Sequence, residues 1–192
     1  MFKNIAKNSS ALVGSVCAAS LGFAALTSTA SAGDKEVFEA EVIAATENCA
    51  AISLSCAANL EDAAGVLIFP NVVSANLIVG GSGGKGVLVE NGHITGHYKI
   101  GGASAGLQAG IDGTSQIYVF PTDVELNKFK DGGEWNIGAT ADITVIDADA
   151  SAQADTSGVL AYIFNSEGLE GGVSIDVFRV WETEASKNGT SM

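Results

Sequence analysis

The spacing of apolar residues changes character several times along the chain. From Lys35 to Ala64, Phe38, Val42, Ala45, Cys49, Ile52 and Cys56 recur at steps of three and four. That period predicts an amphipathic helical stretch whose stripe packs on whatever follows it. From Gly65 to Phe120 the pattern is instead one of apolar runs of strand length, cut by Gly, Pro and Asn-Gly. Val66 to Phe69 halts at Pro70 and Ile117 to Phe120 halts at Pro121, so both predict short buried strands. Asn91-Gly92, between VLVE and HITG, predicts a type I′ hairpin, whose two central residues both need positive φ. Asp112-Gly113 predicts a second turn.

Past Pro121 the period changes again. Thr122-Asp123-Val124-Glu125 has the form of a capping box, in which Thr accepts from the third backbone N–H and Glu returns to the cap. A short helix is expected, with Leu126 and Phe129 on its apolar face and Asp131-Gly132-Gly133 ending it. Trp135, Ile137, Ala139, Ala141, Ile143 and Val145 then alternate with polar or small residues, which predicts a half-buried strand. Asp147 to Thr156 predicts a polar loop, Val159 to Phe164 and Gly172 to Val180 two further strands with a turn at Asn165 to Gly168, and Thr183 to Met192 a disordered tail. The sum is an α+β, mainly β domain: N-terminal helices over 33–64, then a curled antiparallel sheet or closed β-barrel over 65–182 with one short inserted helix.

Composition adds an address. Lys3 and Lys7, the apolar run Ala11 to Leu26 and Ala30-Ser31-Ala32 have the layout of a secretory signal over residues 1–32, with cleavage between Ala32 and Gly33. The apolar run is broken by Ser and Gly and falls short of the ~20 residues a spanning helix needs. The expected destination is therefore the periplasm or the exterior. Cys49 and Cys56 are the thiols left after cleavage, and an oxidising compartment suggests a disulfide between them. In one continuous helix residues seven apart stand about 10 Å apart, beyond bridging range, so the bond requires a break, for which Ser53-Leu54-Ser55 is the candidate. The alternative is two buried thiols on one helical face.

Charge narrows the partners. The chain carries 22 acids and nine bases, and loss of Lys3 and Lys7 leaves seven bases and a net charge of −15. No basic cluster exists in the sequence, which disfavours nucleic acid, since polyanion binding depends on Lys and Arg displacing counterions.

Several motifs suggest chemistry and are then limited by their context. Gly81-Ser82-Gly83-Gly84-Lys85-Gly86 satisfies G-x-G-x-x-G, but a strand follows where a dinucleotide site needs a helix N-terminus. Lys85 is the cation of this Gly-rich turn, placed to meet a phosphate or simply solvated. Ser82 and Ser104 each sit in G-x-S-x-G, the form of a nucleophile elbow, yet His93 and His97 both precede Ser104 and follow Ser82 by only a hairpin. On a strand His93 and His97 would be separated by about 13 Å, so they do not suggest zinc. Asp142, Asp147, Asp149 and Asp155 follow no calcium-loop pattern and predict a solvated acidic loop. Asn188-Gly189-Thr190 is a formal glycosylation sequon. No metal or cofactor is expected.

Four ordered blocks carry a family likeness: GVLIFPNVV, GGSGGKGVL, IGGASAGLQAG and a strand ending VF-x-TD. Together they resemble the SYLF family of lipid-binding domains, related to actin-regulating Ysc84-like proteins of yeast. The resemblance implies a non-enzymatic domain whose partner is lipid or a membrane surface, phosphoinositides in eukaryotic members, some of which also bind actin. It points to the stretch Gly81, Ser82, Gly83, Gly84, Lys85 and Gly86 as a lipid contact. The scarcity of cations keeps neutral and zwitterionic head groups open. The alternatives are a structural or protein-interaction domain of the cell envelope and, third, a serine hydrolase.

Overall fold

The computed structural model describes residues 32–76, 80–104, 110–137, 143–146, 158–165, 168–169 and 178–184. Residues 1–31, where most of the expected signal falls, the tail beyond residue 184, the acidic loop with Asp142, Asp147, Asp149 and Asp155, and the sequon lie outside them. Two helices lead, α1 (Ala32–Ile52) and α2 (Leu54–Asp62), followed by β1 (Gly65–Asn76), β2 (Gly80–Glu90), β3 (His93–Ser104) and β4 (Gly110–Phe120). Then come α3 (Asp123–Asp131), β5 (Glu134–Ile137), β6 (Ile143–Ile146), β7 (Val159–Asn165), β8 (Gly168–Leu169) and β9 (Phe178–Glu182).

The strands form one mixed sheet in the order β5-β9-β3-β2-β1-β4-β7-β6, with β8 pairing β7. All pairs are antiparallel except β6 with β7, so the expectation of a wholly antiparallel sheet is corrected at that edge. Curling follows from chain length. β5 and β6 stand at opposite ends of the order, and laid flat they would be roughly 34 Å apart at about 4.8 Å per step. Only residues 138–142 join them, a span of at most about 21 Å when fully extended. The sheet bends to satisfy that tether, giving a half-barrel rather than a closed barrel.

Bending creates an inner and an outer face, each with its own core. Inside, Leu67, Phe69, Val72, Leu88, Tyr98, Ile100, Tyr118 and Phe120 pack with Leu126 and Phe129 of α3. Trp135, Ile143 and Val145 from the two end strands join them. Phe129 and Trp135 meet edge to face at 5.2 Å, and Trp135 meets Tyr118 likewise at 5.5 Å, so α3 and β5 plug the curl with rings. Outside, Val66, Ile68, Val87, Ile117, Val119, Leu160, Tyr162 and Phe164 pack under Val42, Ala45, Cys49 and Cys56 of α1 and α2. Strands covered on both faces read as unbroken apolar runs, which explains VLIF in β1 and the wholly buried VLAYIF of β7.

Local chemistry sets the joints. Asn91 and Gly92 have φ of 51° and 76° in the β2–β3 turn, as a type I′ hairpin requires. Helix α1 breaks where Ser53 adopts an extended backbone and caps α2, its Oγ accepting from the Cys56 N–H at 3.3 Å. That break brings the Cα atoms of Cys49 and Cys56 to 5.9 Å, and the two are joined by a disulfide.

Four further expectations change. Pro70 does not end β1: the strand runs on to Asn76 because the register slips between Ile68 and Asn71, and a bulge tolerates a residue with no N–H. Asp112-Gly113 is not a turn but lies inside β4, paired with Ser74 and Val73 of β1. The period-two run from Trp135 to Val145 is not one strand but contributes β5 and β6 at opposite sheet ends. Its alternation still places Trp135, Ile137, Ile143 and Val145 on the inner face, which is what the spacing encodes. Finally, the Thr122 hydroxyl donates to the Glu125 carboxylate instead of accepting a backbone N–H, so the two side chains meet each other and not the backbone groups a capping box would satisfy.

Candidate functional site

The Gly-rich stretch is not a turn. Gly81 to Gly86 form the first half of β2, hydrogen-bonded between β1 and β3 over their whole length. Alternation then splits the residues between faces. Gly84 and Gly86 point inward, and at Gly86 a Cβ would land on the Phe69 ring and the Ile68 carbonyl. Gly81 and Gly83 point outward, where a Cβ would meet nothing nearer than a backbone oxygen at 3.6 Å. One set of glycines exists for close packing, and the other leaves the sheet bare.

The bare region is the part of the outer face that α1 and α2 do not reach. It continues across the strands as registered rows. One row is Asn71 on β1, Lys85 on β2, Lys99 on β3, Trp181 on β9 and Glu134 on β5. The next is Val73, Gly83, Gly101, Arg179 and Asn136. Trp181 leans across the second row, so that a Cβ at Gly101 would lie 3.0 Å from its Cη2, yet it keeps 39% of its surface exposed. Val73, at the far end of the second row on β1, is 41% exposed.

Charge on this surface runs against the rest of the molecule. Lys85, Lys99 and Arg179 are three of the seven cations in residues 33–192. Arg179 is answered by Glu134 at 3.3 Å. Lys85 and Lys99 stand directly opposite each other, where Cβ atoms are about 5 Å apart and like charges repel. Neither forms an ion pair among the described residues, although the chain has 22 acids with which to supply one. A cross-strand pair of unanswered cations, flanked by an amide and an exposed indole on a floor of glycine, is arranged to receive an anion at an apolar boundary.

The remaining candidates do not gather into a site. Ser82 faces inward, opposite Gly102, with its Oγ donating weakly to the Gly102 carbonyl at 3.5 Å. His97 lies on the outer face opposite Val87, so the sheet separates it from Ser82. The side chain of Ser104 lies outside the described residues. His93 sits beside the hairpin, opposite Glu90. Among the described residues no group of three or more His, Cys, Asp or Glu assembles. Sequence reasoning singled out Lys85 but missed Lys99, Arg179 and Trp181, because they come from strands 14 to 96 residues away and only the register brings them together.

The fold thus defines a mainly β domain built on a half-barrel, with helices on both faces and one bare outer patch. Residues 101–189 match the family model of Ysc84, described as Las17-binding protein actin regulator, which is the SYLF domain. That segment covers β3 from Gly101 onward and every later element, including Arg179 and Trp181. No curated protein matches the chain.

Proposed function

We propose that this is an exported domain that binds phospholipid surfaces peripherally, through the outer patch of β2, β3 and β9. The observation that carries the reading is the unanswered Lys85–Lys99 pair beside exposed Trp181. A head-group phosphate sits between the ammonium groups, and the indole and Val73 enter the interfacial layer, where Trp is favoured. Glycines 81, 83 and 101 keep the floor low, so the lipid surface approaches the backbone. The SYLF match supports a binding role, and the Cys49–Cys56 disulfide supports an oxidising destination. The net charge of −15 confines attraction to this patch and keeps the rest of the surface off anionic membranes.

Flotation of the mature chain with vesicles tests the proposal. Binding is expected to rise with phosphate-bearing anionic lipid and to weaken with salt. Each lysine near the surface contributes about 1 kcal/mol, so Lys85→Ala with Lys99→Ala is expected to lower partitioning about thirtyfold. Wild-type chain that floats with no lipid composition would refute it. Export is checked separately by the intact mass of secreted protein, expected to begin at Gly33.

A further inference from the structure

On the same outer face, at the other end of the long strands, α1 and α2 do not close fully onto the sheet. They leave a groove of about 900 Å³ between themselves and the β2–β3 hairpin. Its floor is apolar, built from Val42, Val66, Ile68 and Val89, with Leu60 on the α2 side. Ile43 and Ile94 stand at its lips, 58% and 39% exposed. Its rim is acidic: Glu39, Glu47 and Glu61 line it, and among the described residues no Lys or Arg does. Lys35 answers Glu39 at 3.9 Å, while Glu47 and Glu61 form no ion pair among the described residues.

The order of these groups identifies an occupant. Glu39, Ile43 and Glu47 are four residues apart on α1, so they form one line along the helix, acid, apolar, acid, about 12 Å long. A second helix laid in the groove meets that line with the complementary one, base, apolar, base at the same spacing, its apolar side chain seated between Ile43 and Ile94. An anionic lipid surface is repelled by the same three carboxylates. We propose that the groove docks a basic amphipathic helical segment of a partner protein, at a site separate from the lipid patch. The two ends of one face then carry opposite charge and opposite tasks, which holds a basic partner at a membrane without placing it in competition for the head groups.

The test uses the full mature chain and a synthetic helical peptide whose lysine, leucine and lysine repeat the spacing of Glu39, Ile43 and Glu47. Its control carries glutamate for each lysine. Saturable binding of the lysine peptide, measured by calorimetry, is expected. Glu47→Lys with Glu61→Lys should weaken it about tenfold, since both rim attractions become repulsions. Ile43→Ser should weaken it as well, and because these three side chains are exposed the variants should keep the wild-type melting temperature. Vesicle flotation should be unchanged in the rim variant, and peptide binding unchanged in the Lys85→Ala, Lys99→Ala variant, so failure of either site is read apart from the other. Absence of saturable binding, equal affinity for lysine and glutamate peptides, or indifference to the rim reversal would each overturn the proposal. Loss of flotation in Ile43→Ser without peptide binding would assign the groove to the membrane and overturn it too.

Discussion

Each of the long strands β1 and β2 crosses two regions that obey different rules. In the half nearer the Asn91-Gly92 hairpin, Val66, Ile68 and Val87 lie under α1 and α2 while Leu67, Phe69 and Leu88 lie in the curl, so both faces are apolar. In the other half only the inner face is covered, and the outer one carries Gly81, Gly83, Lys85 and Val73. The same strand is core in one half and exposed working surface in the other. The difference teaches that glycine in this sheet has two meanings, and that only its neighbours across the ladder tell them apart.

Substitution at glycine sharpens the contrast most. Gly86→Val places atoms inside the Phe69 ring and is expected to cost about 3 kcal/mol, visible as a lowered urea midpoint. Gly83→Ala, three residues away on the bare side, should change stability by no more than about 0.5 kcal/mol and in the stabilising direction. Equal losses at the two positions would contradict the assignment of faces.

The two helices over the covered half are joined to each other by the Cys49–Cys56 bond. Replacing both cysteines with alanine should cost roughly 2 to 3 kcal/mol, and so lower the melting temperature by roughly 5 to 10 °C, while the fold persists. Intact mass before and after reduction, with alkylation of free thiols, reports whether the purified chain carries the bond.

A smaller effect comes from the clasp between the hairpin and α3. Lys130 reaches both carboxylate oxygens of Glu90 at 3.0 Å, and the Thr95 hydroxyl donates to one of them at 2.6 Å. Burial raises the Glu90 pKa, but Thr95 and Lys130 outweigh it and hold the group below its ordinary value of 4.5. A depressed carboxylate stabilises the folded state above the unfolded pKa, and that contribution fades as pH falls from about 4.5 through the folded value. Lys130 is 41% exposed, so the contribution is under about 1 kcal/mol. In Lys130→Gln the drop in melting temperature between pH 7 and pH 3 should shrink.

The smallest effect has the opposite sign. Lys99→Thr relieves the repulsion with Lys85 and should raise stability by a few tenths of a kcal/mol while weakening vesicle binding. Stability and binding falling together would mean that the pair is structural.

What was legible in the sequence follows from how local each feature is. The helical stripe of Val42, Ala45, Cys49 and Cys56, the Asn91-Gly92 turn, the helix with Leu126 and Phe129 and the buried run of β7 depend on residues within one or two turns of each other and were readable, although Ile52, expected in the same stripe, is exposed. Pro70 misled because a bulge supplied by the partner strands absorbs its missing N–H. Asp112-Gly113 misled because a turn dipeptide was used for space: a Cβ at Gly113 would lie 3.3 Å from Asn71 Oδ1. The row from Lys85 to Trp181 was hidden because sheet order, not sequence, sets who stands beside whom.

The place of β9 also dictates an order of assembly. It lies between β3 and β5, and β5 has no other ladder partner among the described residues. Residues 134–137 therefore have no ladder to join among the described residues until 178–182 are in place. A nascent chain halted before Phe178 loses two strands rather than one, and with them the Trp135 ring that stoppers the curl. Because that last strand also brings Arg179 and Trp181, the half-barrel and its outer patch are completed by the same element, while the Lys85–Lys99 pair is already set by the β2–β3 hairpin.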